Sequence, residues 1–588
     1  MASGKALSTR QLSILAAALL AALLVAVGVW MVTRALLVAD HLHAASEMTH
    51  DLRSALEQQD VAAARAALTE FSIETAAAAQ ASGDPLWRGF EVIPVVGANL
   101  AAARVSSVHL DALAARVGVP LLDLARGALA HTDDTQAGLD VRMLREAEPV
   151  FADAAAAMRL ADTEVGALDR RWLVPQLAQG VTQIDEIVSM ANEPVQMLAR
   201  LGEIAPAMLG ADGERAILLV AQNNAELRTG GGVASAFVEF RARDGRLSIE
   251  KQRSSADFAR GAVEFDVPDD LATVFGDTTG EFVMNATLPA DFDVTARLVS
   301  AWWQSAGGDA PDAVVAVDPH ALRALLSVAG PVTVDGREYS SDNVVHQLLV
   351  EPYLTLTEEE QDALFQQVAA ETFTQVIARP IAPLRLVEAL AAPVEAGRLS
   401  VWSAHAAEQD VLASTPLAGP EKRHMAAGDG AFAIYLNDTT QGKMDSFLEV
   451  SFATGSAVCR TDGIADVTVA VTLTSTAPAD AAHTLPGRMT GEGLADVAPG
   501  NIGTLVTVAG PRGAFYGGAL VDETPVAAFD GALGDHPTST HEVVLAPGES
   551  TTLDFHFFLP AGQSEDLALI HTPLLNEPEI GERKVVCS

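Results

Sequence analysis

Residues 214–257 read ERAILLVAQNNAELRTGGGVASAFVEFRARDGRLSIEKQRSSAD. ERAILLVAQNN begins with a short apolar run and ends on polar residues, the pattern of a buried strand. ASAFVEFRARDG alternates and ends on Asp244-Gly245, a strand running into a tight turn, and RLSIEKQRSS makes a third strand. A strand, a Gly-rich loop and a hairpin therefore open a new domain. Beyond them come the acidic DVPDDLATVFG, a helix at about 291–306, a buried strand at 312–318, the helix HALRALLSVAG and the short strand PVTVDG. Helices at about 341–352, 358–378 and 382–395 follow. Strands alternating with helices predict a layered α/β domain over 210–425.

Outward from that domain the pattern changes twice. From 431 to 588, AFAIYLND, SFLEVSFATG, ADVTVAVTLTST, GTLVTVAGP, THEVVLAPG and STTLDFHFFLP read as strands separated by Gly, Pro, Asn and Asp turns, the spacing of an immunoglobulin-like β-sandwich. From 35 to 208 apolar residues recur at three- and four-residue spacing, which predicts an Ala-rich helical stalk or bundle, with Asp60 as an N-cap. Within it WRGFEVIPVVGANLAAARV, broken by Pro94 and Gly97, predicts a short apolar elbow near the membrane. Residues 11–33, QLSILAAALLAALLVAVGVWMVT, carry no charge and are long enough to cross a bilayer as a helix. Lys5 and Arg10 precede this span, while Asp40 and Glu47 follow soon after Arg34. The positive-inside rule then predicts a cytoplasmic tail over 1–10 and a single-pass membrane protein with its bulk on the extracytoplasmic side. The competing reading is a signal peptide cleaved near Ala44–Ser46. The whole is a multidomain α+β chain.

The polar loop after the first strand is the main candidate site. Asn223, Asn224, Glu226 and Arg228 cluster there, and Gly230, Gly231 and Gly232 permit close backbone approach. Such a loop forms an anion-binding concavity, with Arg228 gripping a phosphate or carboxylate. It has neither the Lys-Ser/Thr of a nucleotide P-loop nor a GxGxxG motif. The plainer reading is a strand connection whose Asn side chains cap turns. Arg253 and Asp257 form a second cluster. Were the first and third strands neighbours, these would join Arg228 in a pocket for pyrophosphate, with Asp257 holding a divalent ion such as Mg²⁺. The plainer reading of that cluster is a surface ion pair. Asp318 is expected to cap a helix, Asn285 to shape a turn, and His320, His346 and His405 to be ordinary surface or helix residues.

With 77 acidic and 37 basic residues the net charge is −40. A surface this acidic repels phosphate backbones, so nucleic acid is not an expected partner. The two cysteines, Cys459 and Cys587, lie in the β-rich region. An exported domain predicts one disulfide between them. No Cys/His spacing suggests zinc.

LLVAQNNAELRTGGGVASAFVEFRARDGRLSIEKQRSSAD resembles the central motif of a bacterial family called domain of unknown function 4012. WRGFEVIPVVGANLAAAR, MNATLPADFDVTARLVSAWW, DAVVAVDPHALRALLSVAGPVTVDG and NDTTQGKMDSFLEVSF fit the same family, and the likeness covers most of 35–588. It implies a membrane-anchored envelope protein of no established activity. The middle domain is more distantly similar to the LytR–CpsA–Psr family, which transfers glycopolymers from polyprenyl-pyrophosphate carriers onto cell wall. Where those enzymes carry a first-strand acidic residue this chain has Gln222-Asn223-Asn224, and Gly230 stands for the Asp after the loop Arg. Arg228 and, more loosely, Arg253 with Asp257 match. The resemblance thus implies binding of a lipid-linked glycan or its carrier without turnover. The alternatives are an active phosphotransferase, or a structural envelope protein that engages other envelope proteins.

Overall fold

The computed structural model describes residues 9–58, 60–130, 141–276, 278–378, 383–493, 495–560, 562–563 and 567–585. Most of the expected tail over 1–10, and Cys587, lie outside the described residues. The chain divides into two compact units, a helical one ending at Glu203 and a larger one from Ile204 onward.

The helical unit begins with α1 (Thr9–Glu57), a single continuous helix. Its 17–55 stretch is long and apolar enough to cross a membrane. Leu19, Leu20, Leu23, Leu24 and Val25 are exposed, whereas Val38 and Ala45 are buried. Asp60 caps α2 (Val61–Ser82) by accepting from Ala63 N–H at 2.9 Å, an N-cap that satisfies one of the helix's orphan donors. α3 (Pro85–Phe90) leads to α4 (Val96–Leu113), which passes through a π-helical turn at Ala114–Gly118 into α5 (Val119–Ala130). α6 (Val141–Gly166) and α7 (Pro175–Met208) complete the set. Residues 96–124 are also apolar enough to span a membrane. Here, however, Leu100, Ala102, Val105 and His109 are buried, and Arg104 and Arg116 are ion-paired with Glu91 and Asp153. That is the character of a bundle's core helix. Ala154, Ala155, Ala157 and Ala161 of α6 pack with Val188 and Val195 of α7, a close approach that small side chains permit.

In the larger unit the three expected strands β1 (Arg215–Asn223), β2 (Val233–Arg243) and β3 (Arg246–Ser254) form an antiparallel meander. α8 (Asp269–Phe275), α9 (Thr278–Glu281) and α10 (Phe292–Ser305) cross to β4 (Ala313–Val317), which runs parallel to β1. α11 (Pro319–Ala329), the hairpin β5 (Val332–Val334) and β6 (Arg337–Tyr339), and helices α12 (Val344–Leu349), α13 (Glu351–Thr355), α14 (Glu358–Ala378) and α15 (Pro383–Glu395) lead to β7 (Leu399–Ser403). The sheet order is β3-β2-β1-β4-β7. Both faces are covered. Leu218, Val220 and Phe237 face Trp302 and Trp303 of α10, while Leu219, Val238 and Phe240 face Ala321 of α11 and Phe373 of α14. Period-two alternation along β1 sends neighbouring residues to opposite layers.

α16 (Ala406–Leu412) and α17 (Pro420–Ala426) connect to a sandwich. Its strands are β8 (Ala431–Asp438), β9 (Leu448–Ala457), β10 (Ala465–Ser475), β11 (Ile502–Ala509), β12 (Phe515–Val521), β13 (Thr524–Val526), β14 (Phe529–Leu533), β15 (His536–Leu545), β16 (Ser550–Leu559), β17 (Ala568–His571) and β18 (Glu579–Glu582). They form two sheets, β13-β12-β16-β10-β9-β18 and β14-β15-β11-β8-β17. Phe432, Ile434, Val469, Val506, Phe555 and Phe557 share the core between them. The last strand of the chain in each sheet, β17 on β8 and β18 on β9, is added in parallel at an edge. These pairings cover strand edges that would otherwise be open to other chains.

Candidate functional site

The polar loop lies between β1 and β2, and its side chains turn toward the sandwich. Leu227 N–H donates to Asp445 Oδ2 at 2.8 Å, and Asp438 N–H donates to Leu227 O at 2.9 Å. Thr229 N–H donates to Asn437 Oδ1 at 2.8 Å, and Asn224 Nδ2 to Pro573 O at 2.9 Å. Asn223 bonds the Tyr353 hydroxyl. The loop and the NDTTQGKMD segment at 437–445 are thus the two halves of one clasp.

At its centre Arg228 Nη2 donates to Glu226 Oε1 at 2.9 Å and to Asn285 Oδ1 at 3.0 Å, and its Nη1 to Leu227 O at 2.8 Å. Lys443 pairs with the other oxygen of Glu226 and lies 5.8 Å from the Tyr353 ring centre. Burial opposes the charge on Glu226, but Lys443 and Arg228 outweigh it and hold the carboxyl below its usual range. Two further carboxyls share the site. Burial and the Glu226 charge push Asp438 up to about 6, and burial with the Asp438 charge pushes Asp445 well above the carboxylate range. Two cations thus pair with one carboxylate, and the other two carboxyls are biased toward the neutral form.

The glycines serve this packing. Gly231 has φ of 130°, in the region that disfavours side chains. A Cβ on Gly232 would lie 2.2 Å from the backbone oxygen of Asn223. Gly230 N–H donates to Thr287 O at 3.1 Å. Asn224 Oδ1 is a buried oxygen without a hydrogen-bond partner among the described residues.

The expected meeting of Arg228 with Arg253 and Asp257 does not occur as drawn from the sequence. It required β1 and β3 to be neighbours, and β2 lies between them. Arg253 donates to Ala306 O and sits over the Trp303 ring, with 5.8 Å to its centre. Asp257 Oδ2 accepts from Ser254 N–H at 2.8 Å in a capping box. Neither shares a partner with Arg228. Among the described residues no three His, Cys, Asp or Glu side chains gather in a way that would hold a metal ion. Asp318 caps α11 as expected, accepting from His320 N–H and Ala321 N–H at 3.0 and 2.9 Å. It also pairs with buried Arg398 at 2.8 Å. Asn285 does more than shape a turn, since it holds Arg228. His320 lies in α11, one of the two placements expected, and is buried there; burial, aided by nearby Arg398, lowers it to about 3.

An apolar pocket opens at the carboxyl ends of β1 and β4, where a parallel pair in an α/β sheet offers a crevice. Leu219, Leu322, Leu349, Phe365, Ala369 and Phe373 form its walls, and Gln222, Asn223, Ser235 and Asp318 supply its polar lining. Its cavity volume is about 50 Å³, enough for a few water-sized atoms. Sequence reading found the strands that carry this site but not Lys443, Asp445, Tyr353 or Arg398, whose roles come from contacts across long stretches of chain.

Residues 212–353 match the family model described as Protein of unknown function (DUF4012), and the chain carries that family's domain. The match runs from the residues just before β1 to Tyr353 and so includes the polar loop, β4, α11 and α12. No curated protein and no solved structure matches the chain.

Proposed function

We propose that this protein is a membrane-anchored envelope factor whose α/β half binds the apolar chain of a lipid-linked glycan or its polyprenyl-pyrophosphate carrier, without turnover. The observation that carries the reading is the apolar pocket at the carboxyl ends of β1 and β4, with polar groups on its lining. The order of elements in this half, similar to that of the LytR–CpsA–Psr family, supports the ligand class. A prenyl chain is larger than the cavity, so binding requires α12 and α14 to part from the sheet. Arg228, Arg253 and Asp257 are engaged by protein groups, which favours binding over phosphoryl transfer. Titration with a short polyprenyl pyrophosphate tests this. Saturable binding that weakens about tenfold or more in Ala369→Trp, with an unchanged circular dichroism spectrum, is the expected result. Absence of saturable binding by the unaltered protein overturns it. The tenfold loss corresponds to ~1.4 kcal/mol of contact.

The anchor reading rests on α1. Cleavage near Ala44–Ser46 would remove Val38 and Leu42, which pack with Ala78, Trp87 and Leu100 in the bundle. A retained helix keeps that core whole. The basic residues before the span favour a cytoplasmic N-terminus. Pairing of Cys459 with Cys587 belongs with an exported sandwich. β18 runs parallel to β9, so the chain end travels in the direction that leads from β9 toward Cys459. Non-reducing peptide mass mapping of protein made in its native compartment reads that bond directly.

A second reading, a structural assembly protein, is favoured by the clasp, which devotes the polar β1–β2 loop to holding two halves together. Under that reading Ala369→Trp leaves the envelope phenotype unchanged.

A further inference from the structure

The lower end of the helical bundle exposes a group of apolar residues that no other element covers among the described residues. α2 folds back along α1, so that its last turns, at Ala78 and Ala81, reach Met31, Ala35 and Val38 of α1. The chain then turns through α3 and the segment 91–95 before α4 rises. In this elbow Val92 is 83% exposed, and Leu86, Ile93, Val95 and Val96 are exposed as well. The elbow is built rather than loose. Trp87 is buried and donates from Nε1 to Leu100 O at 3.0 Å, and Arg104 holds Glu91 at 2.6 Å. Val95 has φ of 66°, a conformation costly for a β-branched residue, which persists only where the surroundings impose it.

A second turn is fastened to the elbow. Asn99 Nδ2 donates to Trp172 O, and Val174 N–H donates to Asn99 Oδ1, each at 2.8 Å. Trp172 is 57% exposed, and Val174 is exposed beside it. The two turns therefore present one apolar surface, with exposed Arg88 and Arg171 nearby in sequence. Apolar side chains with a Trp and flanking Arg residues suit the boundary between headgroups and acyl chains. Trp30 and Arg34 of α1 form a pair 5.6 Å apart from guanidinium carbon to ring centre, near the level of Met31, and exposed Val32, Leu36 and Leu37 carry the apolar surface of α1 on to the level of the elbow.

We propose that Leu86, Val92, Ile93, Val95, Val96 and Trp172 enter the adjoining leaflet beside α1, a second lipid contact that fixes the tilt of the bundle on the bilayer. The proposal rests on α1 being a retained membrane span, since continuity with that span is what makes lipid the occupant. It concerns the base of the bundle alone.

The test uses the full chain in bilayers of phosphatidylcholine and phosphatidylglycerol, with Cys459→Ser and Cys587→Ser. A nitroxide is attached in turn at Val25→Cys, Val92→Cys and Glu70→Cys. All three positions are exposed, so labelling leaves the packing intact. Collision rates with dissolved oxygen and with a water-soluble nickel chelate give the depth of each label. The proposal expects oxygen to dominate at 25 and 92 and the nickel chelate at 70. A label at 92 as open to nickel as that at 70, with 25 still in lipid, overturns the elbow contact and leaves the anchor standing. A label at 25 open to nickel overturns the anchor and the elbow together. A label at 92 shielded from both reagents shows a protein covering, a partner or a second copy, and also overturns the lipid contact.

Discussion

Glu226 sits where three demands meet: it must pair with both Arg228 and Lys443, remain ionised while buried, and keep Asp438 protonated to a higher pH than usual. Removing one member of a buried ion network costs more than the network adds, because the remaining charges stay buried. Glu226→Gln strands two cations and is expected to cost about 3–5 kcal/mol. Lys443→Met leaves Glu226 its bond to Arg228 and costs less. The double variant recovers part of the loss, so a denaturant-based double-mutant cycle returns a coupling well away from zero. Additive effects would contradict the clasp. The pH response of Asp438 has a definite sign. Its carboxyl is raised to about 6 in the folded chain, so the folded state binds more protons than the unfolded one between the ordinary carboxylate value and 6. That contribution is complete below about pH 4 and is lost as pH rises through 6, on the order of 1–3 kcal/mol. Asp438→Asn is expected to flatten this part of the stability profile relative to the parent and to leave stability at pH 7.5 no lower. An unchanged difference across pH 4–7 would count against it. Glu226 and Arg228 could be picked out from the sequence as a polar cluster. Lys443, which pairs with Glu226, and Asp445, which accepts from Leu227 N–H, could not, since nothing local in QGKMD reports that a loop more than two hundred residues earlier will meet it.

Among elements, the β1–β2 connection is the one most tightly determined. Its three glycines suit a ligand cradle and a packed turn equally well in sequence, because both need backbone to approach something closely. The structure shows what is approached: at Gly232 it is the Asn223 backbone, and at Gly230 it is Thr287. Gly232→Ala places a methyl 2.2 Å from that backbone oxygen, which only a shift of the loop can relieve. A loss of several kcal/mol is expected, of the size seen for overpacking combined with backbone strain, and thermal unfolding reads it. An unaltered melting temperature would show that the loop yields freely. The strands β1, β2 and β3 were legible because alternation and a Gly-containing turn survive in any context. β7, β17 and β18 were not. They are short or lie at sheet edges, and GRLSVWS and EIGE take extended form because an existing strand offers them hydrogen-bonding partners. The strand order escaped the sequence for a related reason. An antiparallel meander places β2 beside both its neighbours, and the separation of Arg253 from Arg228 follows at once.

At the scale of the molecule, domain boundaries drawn from the sequence at 425–431 mark a change of secondary structure but not an independent body. Residues from Ile204 to the end form one compact unit. Leu227 and Tyr353, from the α/β half, belong to the same apolar cluster as Phe432, Val469 and Phe555 of the sandwich. Arg398, just before β7, pairs with Glu577 near the chain end at 2.7 Å. The QNNAELRTGG loop and its partner segment are expected to join the two halves into one cooperative structure. Unfolding of residues 204–588 by denaturant tests this most directly, because the tryptophans of that piece, Trp302, Trp303 and Trp402, all lie in the α/β half. Their fluorescence follows that half alone, while hydrogen exchange of the β10 and β16 amides follows the sandwich. The clasp predicts coincident midpoints for the two probes. A sandwich that keeps its protected amides after the tryptophan transition is complete would contradict it.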